Sequence, residues 1–181
     1  MVPRSSAPIV DETLPRVEQE ELSAALEFHR QGLLSQAARL YQRILTRQPD
    51  QVDALHLLGV VALQQGDPRR AVELIGGATA LHPGVALQHA HLADAYVALG
   101  QLNRAADACR LAHRLQPESP EFAYGLGTIL LAQGKPAEAA AHFRDALRLH
   151  PGFALCHNNL NSSNQQGKHT RLWVGCSAQS L

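Results

Sequence analysis

Apolar residues return along this chain with helical spacing, and the helical stretches themselves return. Between residues 52 and 85, Leu55, Leu58, Gly59 and Ala62 advance by steps of 3, 1 and 3, which places them on one helical face. Gly66 follows, and glycine tolerates the left-handed geometry that closes a helix. Asp67-Pro68 then opens a second helix, with an acidic N-cap and proline at the first helical position. Ala71, Ile75 and Ala78 continue it by steps of 4 and 3, and Pro83 closes the stretch. The pattern predicts two helices joined by a tight turn.

The same phrase recurs as HRQGLLSQAA at 29–38, LQQGDPRRAV at 63–72, VALGQLNRAA at 97–106 and LAQGKPAEAA at 131–140. Gly32, Gly66, Gly100 and Gly134 lie 34 residues apart. Ala37, Ala71, Ala105 and Ala139 keep the same interval, as do Pro49, Pro83, Pro117 and Pro151. Four units follow, 18–51, 52–85, 86–119 and 120–153. Small residues recur at the eighth position (Gly59, Ala93, Gly127) and the twentieth, where two helices about 8–10 Å apart must touch. Larger ones, Tyr41, Ile75, Cys109 and Phe143, share position 24 and fill the adjoining gaps. A helix of about 14 residues is marginal alone in water. Each unit therefore depends on its neighbour, with roughly 1.5–3 kcal/mol from every fully buried leucine.

Units such as FAYGLGTILLAQGKPAEAAAHFRDALRLHPG closely resemble tetratricopeptide repeats, with Leu126, Gly127, Gly134, Ala139, Phe143, Ala146 and Pro151 at the signature positions. The resemblance runs from residue 18 to about 166. Unit one departs from it, with Glu21 and Ala24 where apolar residues are expected and Ile44 where alanine is usual. The resemblance implies an all-α fold, an α-solenoid of antiparallel helix pairs wound as a right-handed superhelix. Its inner surface, lined by the first helix of each unit, binds peptides or proteins. Positions 2, 5, 6, 9, 12 and 13 of each first helix then face the groove. They give Asp53, His56, Leu57, Val60 and Gln64 from unit two, His91, Asp94 and Val97 from unit three, and Glu121, Tyr124, Thr128 and Leu131 from unit four. This modestly apolar mixture suits an extended peptide.

The family's clamp for chaperone C-termini needs lysine, arginine and asparagine. Leu22, Leu26, Leu57, Leu87 and His91 hold those places, which excludes that ligand class. Asn159 stands where the repeats of O-linked N-acetylglucosamine transferases carry a ladder of asparagines. Ser23, Leu57, His91 and Gly125 hold the place in the preceding units.

Residues 1–17, with Pro3, Pro8 and Pro15, read as a flexible lead-in. A partial fifth repeat helix is expected over 154–166, opening FALCHNNLNSSNQQG from Phe153, and an irregular tail over 167–181. Asn161 replaces the small residue of that helix, and Trp173, Ser177 and Ser180 stand where alanine, an aromatic and alanine would follow. Two accounts fit this end: a divergent terminal cap, or an interrupted reading frame that once continued into more repeats. The lack of a recognisable polar cap in HTRLWVGCSAQSL favours the second. The incomplete end also offers a face for self-association.

Composition narrows the partners. Lys plus Arg and Asp plus Glu both total 16, so net charge gives no argument for nucleic acid or an anionic membrane. No apolar run is long enough to span a bilayer, and the N-terminal stretch lacks the apolar core of a secretory signal. Cys109, Cys156 and Cys176 form no CxxC pair, which fits a reduced, cytoplasmic setting.

Ten histidines raise the question of a metal, but His89 and His91 point to different helical faces, and two units separate His82 from His150. Solvated surface histidines and no metal are the expectation. Cys109 shares its position with Tyr41, Ile75 and Phe143 and reads as a packing residue. No GxSxG, P-loop or GxGxxG occurs; Gly76-Gly77 lies inside a helix and predicts a soft point or bend there. The chain is thus expected to be a non-catalytic scaffold without cofactors. The alternative is the substrate-recruiting N-terminal part of a larger enzyme, an O-linked N-acetylglucosamine transferase of the SPINDLY-like kind.

Overall fold

A computed structural model describes residues 16–164. Among them run nine helices: α1 Arg16–Arg30, α2 Leu34–Arg47, α3 Val52–Gln64, α4 Pro68–Leu81, α5 Ala86–Ala98, α6 Leu102–Leu115, α7 Pro120–Ala132, α8 Pro136–Leu149 and α9 Ala154–Asn164. Consecutive helices pack as antiparallel pairs, and the pairs stack into a solenoid whose inner layer is α1, α3, α5, α7 and α9. The outer layer is α2, α4, α6 and α8.

The turn inside each pair follows from its glycine. Gly66 sits at φ 82°, a left-handed conformation that a side chain disfavours. Its N–H donates to the Leu63 carbonyl at 3.0 Å, and that of Asp67 to the Ala62 carbonyl at 2.9 Å, which closes α3 in a Schellman motif. The Asp67 carboxylate accepts from the Arg70 N–H at 3.1 Å, so one residue ends one helix and caps the next. The outer helices then bury their small and large positions together: Ala71, Ile75 and Ala78 are fully buried, as are Ala139, Phe143 and Ala146.

Close approach explains the eighth position. A Cβ built on Gly59 would stand 2.5 Å from Ile75 Cγ1, and one on Gly127 would stand 2.6 Å from Phe143 Cε1. Ala93 fits where its partner is the smaller Cys109, itself fully buried. The Cys109 thiol donates to the Phe122 carbonyl at 3.6 Å. Helix α4 continues unbroken through Gly76 and Gly77.

Unit one compensates for its sparse apolar face with charge. Glu21 is held by Arg43 at 2.8 Å and by Arg47, and Glu18 lies 3.8 Å from Arg47. Ala24 is left exposed. At the other end α9 covers unit four through Cys156, which is fully buried and donates to the Phe143 carbonyl at 3.0 Å. Burial pushes the Cys156 thiol up to about 11, so it packs as a neutral group. Cys176 and the tail lie outside the described residues.

Candidate functional site

The inner helices cross one another through single polar contacts. His29 Nε2 lies 2.9 Å from Gln64 Oε1, joining α1 to α3. His56 Nε2 lies 2.7 Å from His91 Nδ1, joining α3 to α5, with ring centroids 4.9 Å apart. Asn159 Nδ2 donates to the Tyr124 hydroxyl at 2.9 Å, joining α9 to α7. Each partner is 35 residues from its mate, one more than the repeat. Between α5 and α7 the corresponding residues are Ala90 and Gly125, which have no side-chain polar group to offer.

These contacts make the floor of the inner face dry. His56, Leu57, Val60, His91, Asp94, Tyr124 and Thr128 are all buried. His29, His56 and His91 are only 5%, 7% and 3% exposed, and His89 is buried as well, its Nε2–H donating to the Pro83 carbonyl at 2.8 Å. The expectation of solvated histidines therefore fails for these four, because neighbouring units press the inner helices together. Burial pushes His56 down to about 4. Burial, then the repulsion that His56 and His29 would exert once protonated, push His91 down to about 3. His29 is lowered by burial, an effect its bond to Gln64 partly offsets. All three rings are neutral at pH 7, and a neutral pair is what one donated hydrogen bond between two imidazoles requires. Thr128 donates to the Tyr124 carbonyl at 2.7 Å and so spends its hydroxyl within α7.

What remains accessible are two edges. Along one, position 2 carries Asp53, Leu87, Glu121 and Leu155; Glu121 is exposed and Leu155 is 42% exposed. Along the other, position 12 carries Leu63, Val97 and Leu131, all half-buried and packed on the core beneath. Gln64 is exposed and Asn159 half-buried. Of the thirteen groove candidates, His56, His91, Tyr124, Gln64 and Asn159 bond across neighbouring inner helices, Leu57, Val60, Asp94 and Thr128 are buried, and Asp53, Val97, Glu121 and Leu131 lie partly or fully exposed along the edges. Leu63, Leu87 and Leu155 join the accessible set by the same positional rule.

Charge is sorted by layer, which the zero net charge conceals. The inner helices hold Arg16 and Arg30 against seven carboxylates, while the outer helices hold ten arginines against four carboxylates. The inner helices are acidic and the outer helices basic, and in unit one the two meet, with Glu18 and Glu21 held by Arg43 and Arg47. Among the described residues no group of three or more His, Cys, Asp or Glu side chains could hold a metal ion. No described helix is long and apolar enough to cross a membrane.

This architecture defines the class: a right-handed α-solenoid of stacked helix pairs. The tetratricopeptide repeat profile matches residues 22–86, 56–120 and 91–152, and the chain belongs to that family. No curated protein sequence matches it. Solved structures do. MamA superposes with a TM-score of 0.74 at 22% identity, covering 78% of this chain and 82% of that one. A mutant O-GlcNAc transferase from Thermobaculum terrenum gives 0.70 at 31% identity, over 75% of this chain and 27% of the transferase. YrrB, described as a TPR protein with an unusual peptide-binding site, gives 0.73 at 14% identity, covering 80% and 75%.

Proposed function

We propose that the chain is a non-catalytic interaction scaffold that holds an extended peptide or protein segment along its inner face. The observation that carries this reading is the division of that face into a dry, internally bonded floor and two solvent-facing edges. A floor whose polar groups are already paired is rigid, so little ordering entropy is lost when a ligand settles on it. The edges then select: Asp53, Leu87, Glu121 and Leu155 on one side, Leu63, Val97 and Leu131 on the other. The site residues named from the sequence divide accordingly, with Asp53, Gln64, Val97, Glu121, Leu131 and Asn159 in reach of a ligand and the remainder supporting them.

The test is peptide-display selection on the full chain, repeated with Val97→Glu/Leu131→Glu. Both side chains pack partly on the core, so urea midpoints are measured beside helical circular dichroism, and enrichment should be lost at concentrations where the variant is still folded. Selection of the same peptides by both proteins would refute the assignment. A second reading is favoured by the likeness to the transferase, of which the matched part is 27%: the array recruits substrates for a glycosyltransferase. It predicts that the selected peptides carry serine or threonine acceptors and that the adjoining reading frame encodes a transferase. Selected peptides without hydroxyl residues would count against it.

A further inference from the structure

The outer helices have a register of their own. His113 of α6 and His142 of α8 stand edge to face with ring centroids 6.1 Å apart, at positions 28 and 23 of successive units. The same two positions carry Leu45 and Leu74 between α2 and α4, both packed on one apolar cluster, and buried Thr79 and Ala108 between α4 and α6. Where those junctions use apolar or short side chains, this one uses two titratable rings. Both rings are half-buried, and the Nδ1 atom of each is buried without a hydrogen-bond partner. A proton taken up there leaves a charge at a site that holds no acceptor for it.

The rest of this junction leaves room for movement. On its inner side, the register that joins His56 to His91 carries Ala90 and Gly125, which have no polar side chain. Its middle is an apolar contact of Ala90, Ala112 and Phe122. At its turn edge lies an open cleft of about 780 Å³, lined by residues 100–104 and by Ala132, Gln133 and Lys135. Gln133 crosses it, its Nε2 donating to the Leu102 carbonyl at 3.0 Å and to Asn103 Oδ1 at 3.1 Å.

We infer that His113 and His142 form an acid-sensitive latch: protonation of the pair parts α6 from α8 and turns the fourth unit against the third about the Ala90–Phe122 contact. The charges that act on His142 come from these two helices. Burial lowers its pKa most; His113, once protonated, and Arg110 lower it further, while Asp145 and Glu138 oppose them. Arg110 is paired with Asp107 at 2.8 Å, and the exposed Arg114, Arg144 and Arg148 add positive charge to the same helices. With its pKa lowered in the closed junction, His142 is neutral there at pH 7, and the parted form takes up protons first as pH falls below about 6.5. The closed form is thus favoured at neutral pH and lost on acidification, by up to about tenfold at pH 5.5 for a ring that stays neutral in place. A second proton on the pair meets the repulsion of the first. The latch belongs to the outer layer; its consequence for binding rests on the reading of the inner face, where turning unit four shifts Leu131 relative to Val97.

Nitroxide pairs on the full chain read the angle between units. Ala80, Arg114 and Arg148 hold one exposed position on α4, α6 and α8, and with Cys176→Ser the native thiols left are the buried Cys109 and Cys156. The label distance in Ala80→Cys/Arg148→Cys should lengthen between pH 7.5 and pH 5.5. It should do so by more than in Ala80→Cys/Arg114→Cys, which stops short of the latch and reads any response of the His56–His91 pair. His113→Leu/His142→Leu, which installs the pairing of Leu45 and Leu74, should abolish the difference, and His142→Gln, neutral at either pH, should reduce it. A distance across the latch that stays constant, changes no more than the control, or still lengthens with both leucines in place overturns the inference. A peptide selected at pH 7.5 separates this failure from that of the inner-face reading. It should bind the unaltered chain several-fold more weakly at pH 5.5, and the leucine variant should be spared that loss. The same loss in both chains overturns control of the groove by the latch. Failure to select any peptide removes the inner-face reading and leaves the latch to be decided by the label distances.

Discussion

Replacing glycine by alanine should change stability in opposite directions at two places in this fold. Gly76 and Gly77 lie inside α4, half-buried, and a Cβ at either would meet nothing within 4 Å. Alanine there gains helix propensity without any steric charge against it, about 1 kcal/mol per site, so Gly76→Ala/Gly77→Ala should stabilise by about 2 kcal/mol. For an array of this size each kcal/mol moves Tm by roughly 2–4 °C, giving a rise of roughly 4–8 °C. At Gly127 the same propensity gain is opposed by Phe143, whose Cε1 and Cδ1 would lie 2.6 and 2.8 Å from the new methyl. Phe143 is fully buried, and overpacking of this kind costs about 1–3 kcal/mol, so Gly127→Ala should be neutral to destabilising by about 2 kcal/mol. Thermal melts by far-UV circular dichroism, with urea titrations for free energies, measure both. An unchanged or lowered Tm for the Gly76/Gly77 variant would refute the argument that these two glycines weaken α4. A gain at Gly127 as large as that per site in α4 would show that helix–helix approach does not select the eighth position.

Three further outcomes follow from the buried polar groups. His56 and His91 are neutral in the folded chain but titrate near 6.5 when unfolded, so the unfolded state takes up protons first as pH falls. Stability should drop by about 2 kcal/mol for each between pH 7 and pH 5. His56→Leu/His91→Leu reproduces the Leu22 and Leu57 of the preceding junction and should remove most of that slope in urea titrations; an unaltered slope would place the titration elsewhere. The Tyr41 hydroxyl is buried without a hydrogen-bond partner, so Tyr41→Phe should stabilise by about 1 kcal/mol, and a loss of that size in the urea midpoint would contradict it. Glu21→Gln should loosen α1 by about 0.5–1 kcal/mol at low salt and have little effect near 1 M, read as faster amide hydrogen exchange in α1.

The helix pairs were legible in the sequence because steric rules act within one unit. A small residue at position 8 faces a large one at position 24, and a left-handed glycine divides the helices, so each constraint recurs every 34 residues. The floor of the inner face was not legible from the same period. Its contacts join position 5 of one unit to position 6 of the next, as His56 joins His91 and Tyr124 joins Asn159, and therefore recur at 35. Listed by repeat position alone, these residues read as ligand contacts; the structure adds that they bond to one another across the seams. An offset of 35 between polar residues of the first helices, including His29 and Gln64 at positions 12 and 13, is the signal that would have revealed it. Charge sorting was hidden for a related reason: acids and arginines alternate along the chain by helix and cancel in any total.

The 35-residue cross-links also limit how such an array can be rebuilt. Their partners are matched across junctions: imidazole to imidazole between the second and third units, phenol to amide between the fourth and the fifth. Deleting or duplicating a single unit would preserve every turn and every helix pair, yet would set His56 or Tyr124 against a stranger. The heritable module of this protein is thus the seam between two repeats, and insertions that respect seams are the ones a lineage could accept.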